Sequence, residues 1–515
     1  MAKPAIVFIG FMGAGKSSAA RAVARSVGRV EEMDELVERR LGMPIPEYFE
    51  RHGEERFREE EAEVASGLLG ELDGGAVALG GGTVLSERVR EALADHTVVW
   101  IEVDAETAWS RVERTDRPLV ARGREAFEAL LAERKPIYES VADVVLPAGD
   151  KGIAPRALPS IRALEELPEG TKLLWAASAA GEYPVFVGRD LLAGLAESGW
   201  WPLPGRRFCV THPELTELYL DRIEPVEAVV EVAPGEASKS MADAEAVLRG
   251  LAGAGMTRED HLVALGGGVV GDLAGLCAHL YQRGVPVVHL PTTLVSQVDS
   301  AYGGKTGVDL PEGKNYAGAY HQPDAVLADT ATLGTLPPAE LAAGFVEALK
   351  TGLLAGGELW ERVRAVEALD PAALDDVVFA CARYKCRVVA ADERDTGLRQ
   401  ALNLGHTVGH AIEAATSYER YRHGEAIGLG LLAALRLSDA PDLRDEAEAV
   451  LGRLGLPLRL DPAVEVDAVI EALGRDKKRT AAGVGFVLLT EPGEPRTGQL
   501  VDPARVRSAV QELYP

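Results

Sequence analysis

Two groups of residues in this chain have types and spacings that do chemistry, and the two chemistries differ. The first is Gly10-Phe11-Met12-Gly13-Ala14-Gly15-Lys16-Ser17, a G-x-x-x-x-G-K-S loop with an apolar run before it and a helical pattern after it. Its glycines let backbone N–H groups converge on phosphate oxygens, and the following helix N-terminus adds a favourable dipole. In such a loop Lys16 reaches the β- and γ-phosphates of ATP, and Ser17 holds Mg²⁺. The second group comes much later: Glu347 and Lys350 one helical turn apart, Arg399, the run Asn403-Leu404-Gly405-His406-Thr407-Val408-Gly409-His410, and His423. Two histidines at i,i+4 with a carboxylate make a metal-ligand set. Three of the chain's ten histidines fall between 406 and 423, and spacing alone leaves open which two of His406, His410 and His423 bind.

Each group needs a scaffold. The chain has 515 residues, too many for one ordinary core. Over residues 1–148 strand patterns at 5–9, 76–79 and 98–103 alternate with helical stretches such as 53–69, which argues for a parallel sheet covered on both faces. Residues 148–172 are rich in Gly, Pro and scattered charge and read as a linker with a short helix at 160–166. A second alternation places strands at 185–187, 207–210, 262–265 and 287–290. Beyond 330, long amphipathic stretches at 338–354, 372–391 and 406–415 take over. The expected architecture is α/β throughout: a P-loop NTPase-type parallel sheet over 1–165, an α/β dinucleotide-binding domain over 172–329, and a mostly α-helical metal- and substrate-binding domain over 330–515.

In the middle region Gly266-Gly267-Gly268-Val269-Val270-Gly271-Asp272 follows an apolar strand, as a dinucleotide turn does. No acidic residue ends the next strand, Val287-Val288-His289-Leu290-Pro291, so the dinucleotide is expected in a frame other than the usual one. Asp and Glu outnumber Lys and Arg by 80 to 54, a formal charge of −26, which repels nucleic acid and anionic membranes. Against that background Arg283, Lys305, Lys314 and Asn315 stand out as an anion site. No run reaches the roughly 18 uncharged apolar residues of a membrane helix. Residues 5–9 read as a strand feeding the phosphate loop, not as a signal peptide. Four cysteines, at 209, 277, 381 and 386, form no Cys-x-x-Cys pair and read as buried thiols, so a cytoplasmic location is expected.

Residues 4–147 resemble shikimate kinase. The matching elements are Met33-Asp34 with Glu38, Gly53-Glu54 with Phe57-Arg58, Gly80-Gly81-Gly82, Arg117-Pro118-Leu119, and Arg134 four residues before Tyr138. The resemblance implies that Gly13, Gly15, Lys16, Ser17, Ser18 and Arg117 bind the nucleotide, with Arg117 on a mobile lid. It further implies that Asp34, Arg58, Gly80, Gly81, Gly82 and Arg134 cradle shikimate. Arginine suits the carboxylate of such a substrate because its planar fork bonds both oxygens. One departure is Glu32-Met33-Asp34 where the family has Asp-x-Asp; Glu32 is one methylene longer and is expected to change the contact geometry around Mg²⁺.

Residues 180–490 resemble 3-dehydroquinate synthase. The resemblance implies a homodimer built through this half and NAD⁺ held by Glu236, Lys239, Gly267, Gly268, Asp272, Thr292 and Thr293. Zn²⁺ (or Co²⁺) would be bound by Glu347, His406 and His423, with His410 as an acid/base group. Asp299, Lys305, Lys350, Lys385, Arg399 and Asn403 would hold the hydroxyls and carboxylate of a heptulosonate phosphate. Arg283, Lys314 and Asn315 would hold its phosphate, and Lys477 or Lys478 would close the carboxylate side. NAD⁺ would act as a catalyst regenerated in each turnover. The cations Lys350, Lys385 and Arg399 favour a carboxylate substrate over those of related sugar-phosphate cyclases or glycerol dehydrogenase. Two departures are His212 after Thr211, and Asp309, expected to disfavour phosphate or to pair with a lysine.

Overall fold

A computed structural model describes residues 5–115, 119–150, 152–474, 479–480 and 483–514. The chain forms two compact units, Met1–Ala176 with Pro184–Phe186, and Ala177–Tyr183 with Val187–Pro515. In the first unit β1 (Ile6–Ile9), β2 (Val30–Glu32), β3 (Ala76–Ala78), β4 (Thr97–Glu102) and β5 (Val144–Pro147) run parallel in the order β2-β3-β1-β4-β5. β1 is Ile-Val-Phe-Ile and is buried at every position, as a parallel strand covered on both faces must be. The helix Lys16–Val27 leaves β1 through the phosphate loop and buries Ala19, Ala20 and Val23. The helix Ile45–Glu71 is broken at Gly53, whose φ of 80° interrupts it where the helical pattern was expected to begin.

Residues 148–172 contain more order than their composition suggested. The helix runs over Ile153–Ala163, earlier than expected, and buries Ile153, Ala157 and Ile161. These positions repeat at i,i+4,i+8, and Pro155 falls in the first turn, where a missing N–H costs little.

Strands β6 (Lys172–Ser178) and β7 (Gly181–Gly188) follow. The second unit then adds β8 (Arg207–Thr211), β9 (Ala228–Glu231), β10 (His261–Gly266), β11 (Val287–Pro291), a hairpin of β12 (Lys305–Leu310) and β13 (Gly313–Tyr320), and β14 (Ala325–Asp329). Its parallel sheet has the order β14-β11-β10-β8-β9, over a core that includes Phe208, Leu262, Leu273 and Cys277. Beyond it come the helices Pro338–Ala355, Asp375–Ala391, His406–Ala415 and His423–Leu437. Pro338–Ala355 is buried continuously from Leu341 to Leu354, so Glu347 and Lys350 are interior charges on a core helix. Antiparallel strands Gly483–Leu489 and Pro495–Leu500 add a small sheet that the helical pattern did not announce. All four cysteines are buried and free. Among the described residues no helix is long and apolar enough to cross a membrane.

Candidate active sites

In the first unit the phosphate loop owes its shape to glycine. Gly13 and Gly15 have φ of 81° and 103°, a region strained for other residues, and a Cβ on Gly13 would lie 2.7 Å from the Ala108 carbonyl oxygen. Gly13, Gly15, Ser18, Arg111 and Asp150 help line a cavity of about 260 Å³. The Lys16 ammonium donates to the carbonyls of Gly10 and Phe11 at 2.9 and 3.1 Å, and Ser17 stands in the first turn of the following helix. Arg111 donates to the Gly13 carbonyl at 2.9 Å; sequence reasoning missed it, because no motif spacing ties it to the loop. Arg117 lies outside the described residues.

A second cluster faces the same end of the sheet. Arg58 donates to Glu61 at 2.6 Å, and Glu61 accepts from the Thr83 hydroxyl at 2.9 Å. Arg134, 2% exposed, donates to the Gly81 carbonyl at 3.3 Å. The Tyr138 hydroxyl donates to the same carbonyl, and burial pushes its pKa up to about 12, so it stays a donor. Gly80 and Gly82 leave room for this packing, while Gly81 has space for a side chain. A Cβ on Gly80 would lie 2.3 Å from Glu61 Oε1, one on Gly82 2.3 Å from Arg58 Nη1, and one on Gly81 3.4 Å from the Gly10 carbonyl oxygen. The Nε atoms of Arg58 and Arg134 are buried without a hydrogen-bond partner, a cost of about 1–3 kcal/mol each. Asp34 is exposed in the first turn of Met33–Leu41. Glu32 pairs with Arg21 of the neighbouring helix at 2.9 Å.

In the second unit one cavity of about 840 Å³ gathers most of the expected residues. Glu236, Lys239, Gly268, Asp272 and Thr293 line it, together with Asp299, Lys305, Lys314, Asn315, Lys350, Lys385, Arg399, Asn403, His406, His410 and His423. Gly267 and Thr292 are not among the lining residues: a Cβ on Gly267 would meet Thr293 at 2.8 Å, and the Thr292 N–H is tied to the Gly266 carbonyl at 3.0 Å. Arg283 does not line the cavity either; it follows Gln282 in a turn where both have positive φ, 48° and 73°. Lys477 and Lys478 lie outside the described residues.

Charges in this cavity are mutually arranged. Lys385 meets Asp299 at 2.6 Å, Lys305 meets Asp395 at 2.5 Å, and Lys239 meets Asp272 at 2.5 Å. Burial works to raise Asp299, but Lys385 and Lys350 outweigh it and bring the carboxyl down. Burial pulls Lys385 below its usual value against the attraction of Asp299. Asp309 accepts the Asn315 backbone N–H at 2.7 Å. Its carboxylate therefore shapes the hairpin turn; burial raises its pKa, while this hydrogen bond and the nearby Lys239 and Lys314 work to lower it.

The geometry offers two metal-ligand sets among the three histidines: Glu347 with His406 and His423, and His410 with Glu413 and His423. Ligand atoms of Glu347, His406 and His423 lie within 4.8 Å of one another; the Glu347 Oε1 is 3.4 Å from His406 Nε2 and 3.5 Å from His423 Nε2. His406 Nδ1–H is held by the Leu404 carbonyl at 3.1 Å, which turns Nε2 inward. Glu347 Oε2 is ion-paired with Lys350, and Oε1 faces the two imidazole nitrogens. Burial works to raise Glu347, but Lys350 and His406 outweigh it and hold the carboxyl well below its usual range. A buried, ionised carboxylate facing two imidazole nitrogens fits a divalent cation. His410 is a neighbour, its ring 5.2 Å from that of His406. Sequence reasoning missed Glu413 and Asp395. Glu413 had a signal, since it falls at i+3 from His410 and i+7 from His406 on one helix.

These two constellations define a P-loop phosphotransferase centre in the first unit and a metal-ligand centre beside a dinucleotide turn in the second. A shikimate kinase family model matches residues 12–161. Models for the N-terminal and C-terminal parts of 3-dehydroquinate synthase match residues 229–343 and 344–479. A 3-dehydroquinate synthase of Symbiobacterium thermophilum is 41% identical over 350 residues, 64% of this chain and 98% of the relative. That of Azotobacter vinelandii is 43% identical over 327 residues, covering 61% and 89%. A structure of 2-epi-5-epi-valiolone synthase from Streptomyces hygroscopicus with NAD⁺ and Zn²⁺ bound is 26% identical, with a TM-score of 0.57, over 66% of this chain and 99% of that one. The chain belongs to the 3-dehydroquinate synthase family and carries a shikimate kinase domain in its N-terminal part.

Proposed function

We infer that one polypeptide catalyses two reactions of the shikimate pathway. One is ATP-dependent phosphorylation of shikimate to shikimate 3-phosphate. The other is conversion of 3-deoxy-D-arabino-heptulosonate 7-phosphate to 3-dehydroquinate with loss of phosphate. The observation that carries the second is the convergence of ligand atoms of Glu347, His406 and His423, the two histidines lining a cavity that also holds Lys350, Lys385 and Arg399. The division of labour follows the segments 1–165 for the kinase, 172–329 for NAD⁺ and 330–515 for metal and substrate.

In the kinase, Lys16 exchanges the Gly10 and Phe11 carbonyls for the β- and γ-phosphates, and Ser17 holds Mg²⁺, which neutralises phosphate charge. Arg58 and Arg134 pair their guanidinium groups with the shikimate carboxylate. Asp34 accepts the hydroxyl that attacks the γ-phosphate. Gly82→Ala tests this cradle. The backbone there, φ −105° and ψ −7°, accepts alanine, but the new Cβ would collide with Arg58 Nη1. The variant is expected to fold normally and to raise the KM for shikimate about tenfold, the loss of roughly one charged hydrogen bond, with the KM for ATP unchanged; steady-state kinetics with each substrate varied measures this.

In the synthase, bound NAD⁺ supplies a reversible hydride acceptor, and the divalent metal supplies a Lewis acid. Lys305, Lys350, Lys385, Arg399 and Asn403 position the substrate's hydroxyls and carboxylate, Lys314 and Asn315 its phosphate, and His410 takes and returns a proton. Glu236, Lys239, Gly268, Asp272 and Thr293 border the NAD⁺ side. A homodimer through the synthase half is part of this reading. Four buried free thiols support a reducing, cytoplasmic setting.

A second reading, another sugar-phosphate cyclase, rests on fold likeness to 2-deoxy-scyllo-inosose synthase, 24% identical with a TM-score of 0.60. Comparing turnover of the heptulosonate phosphate with that of a hexose phosphate lacking the carboxylate separates the two. Preference for the carboxylate substrate is expected, because Lys350, Lys385 and Arg399 gather three cations in the cavity that suit a carboxylate; preference for the hexose phosphate would reverse the assignment.

A further inference from the structure

We propose that Glu413 is a positioning residue whose single carboxylate aims a metal ligand and restrains the phosphate-side lysine. Its side chain is only 3% exposed and lies on the helix that carries His406 and His410. Both Glu413 oxygens lie 3.4 Å from His423 Nδ1, and Oε1 is also 3.4 Å from the Lys314 ammonium. A carboxylate at Nδ1 fixes the imidazole with its proton there, so Nε2 presents a lone pair toward Glu347. The Leu404 carbonyl does the same for His406. The two histidines are thus oriented by different devices, a neutral carbonyl for one and a charged carboxylate for the other.

The second partner gives Glu413 its reach. Lys314 comes from β13, and its ammonium lies 4.4 Å from the centre of the Tyr418 ring and 3.5 Å from Glu236. Glu413 therefore ties the hairpin that carries Lys314 and Asn315 to the helix that carries the ligand His406. His410, Glu413 and His423 also have ligand spacing for a second cation. That arrangement is disfavoured, since the ion would displace the Nδ1 proton and meet the Lys314 ammonium held by the same carboxylate.

The proposal rests on the metal-dependent synthase reading, and three variants of the full chain test it. Glu413→Gln keeps an oxygen for the His423 N–H but loses the charge that holds Lys314; Glu413→Ala loses both; Lys314→Met removes only the cation. Zn²⁺ affinity, measured by competition with a chelating dye, is expected to fall about tenfold in Glu413→Gln and on the order of 100-fold in Glu413→Ala. It should stay at the wild-type value in Lys314→Met. The KM for the heptulosonate phosphate should rise in all three. The visible spectrum of the Co²⁺-loaded protein should change in Glu413→Ala and not in Lys314→Met, a signature that partial unfolding does not imitate. A Glu413→Ala protein with wild-type metal affinity, Co²⁺ spectrum and KM overturns the proposal while leaving the synthase reading intact. A wild-type chain that binds neither metal overturns both.

Discussion

Replacing Glu347 with glutamine removes tight metal binding and lowers synthase turnover by on the order of 10³-fold, about 4 kcal/mol, while shikimate phosphorylation continues. The carboxylate is the one anion of the ligand triad and is 1% exposed. The amide keeps its shape but offers no charge to a cation held between His406 and His423. The same change leaves Lys350, also 1% exposed, without its partner, which costs the fold about 3–5 kcal/mol. His423→Ala is the companion variant, because its side chain is 38% exposed and its loss opens no sealed core. Both should lose metal by elemental analysis and lose phosphate release in the same proportion. Retained turnover in a metal-free His423→Ala protein would refute the triad's role.

Replacing Lys16 with alanine has the mirror effect. The lysine is the only side chain of the loop that carries a charge, and here it is held by the Gly10 and Phe11 carbonyls at 2.9 and 3.1 Å. Those contacts are replaced by water when it is removed, so the unit stays folded. Charge developing on the transferred phosphoryl group loses its nearest fixed cation, and kinase turnover is expected to drop about 10³-fold. Synthase activity should not change, because Lys16 belongs to the first compact unit and every ligand of the triad to the second. Shikimate-dependent ADP formation and phosphate release from the heptulosonate phosphate, measured on one preparation, check both halves. Loss of both activities together would show that the units do not work separately.

Much of this was legible in the residues because the chemistry constrains the backbone. A phosphate loop needs positive φ at Gly13 and Gly15, and glycine announces it. Strands buried on both faces, such as Ile6–Ile9, appear as unbroken apolar runs. What stayed hidden depends on contacts distant in sequence. Arg111 reaches Gly13 across 98 residues, and Lys305 finds Asp395 across 90; no local period encodes either. The Glu32 departure was visible, but its pairing with Arg21 was not, since that depends on the packing of a strand end against a helix. The helix Ile153–Ala163 was obscured by its prolines, although its apolar i,i+4 repeat was present. Spacing could not choose among three histidines because His406 and His410 share a helix while His423 begins another.

The central claim is that one chain holds two separable enzymes. It is tested most directly by assaying a single purified preparation for both reactions, before and after treatment with a zinc-selective chelator in excess Mg²⁺. The expected result is phosphate release from the heptulosonate phosphate that requires NAD⁺ and is abolished by the chelator, restored by Zn²⁺ or Co²⁺, beside shikimate-dependent ADP formation that persists throughout. A metal- and NAD⁺-replete chain that phosphorylates shikimate but releases no phosphate from the heptulosonate phosphate would contradict it.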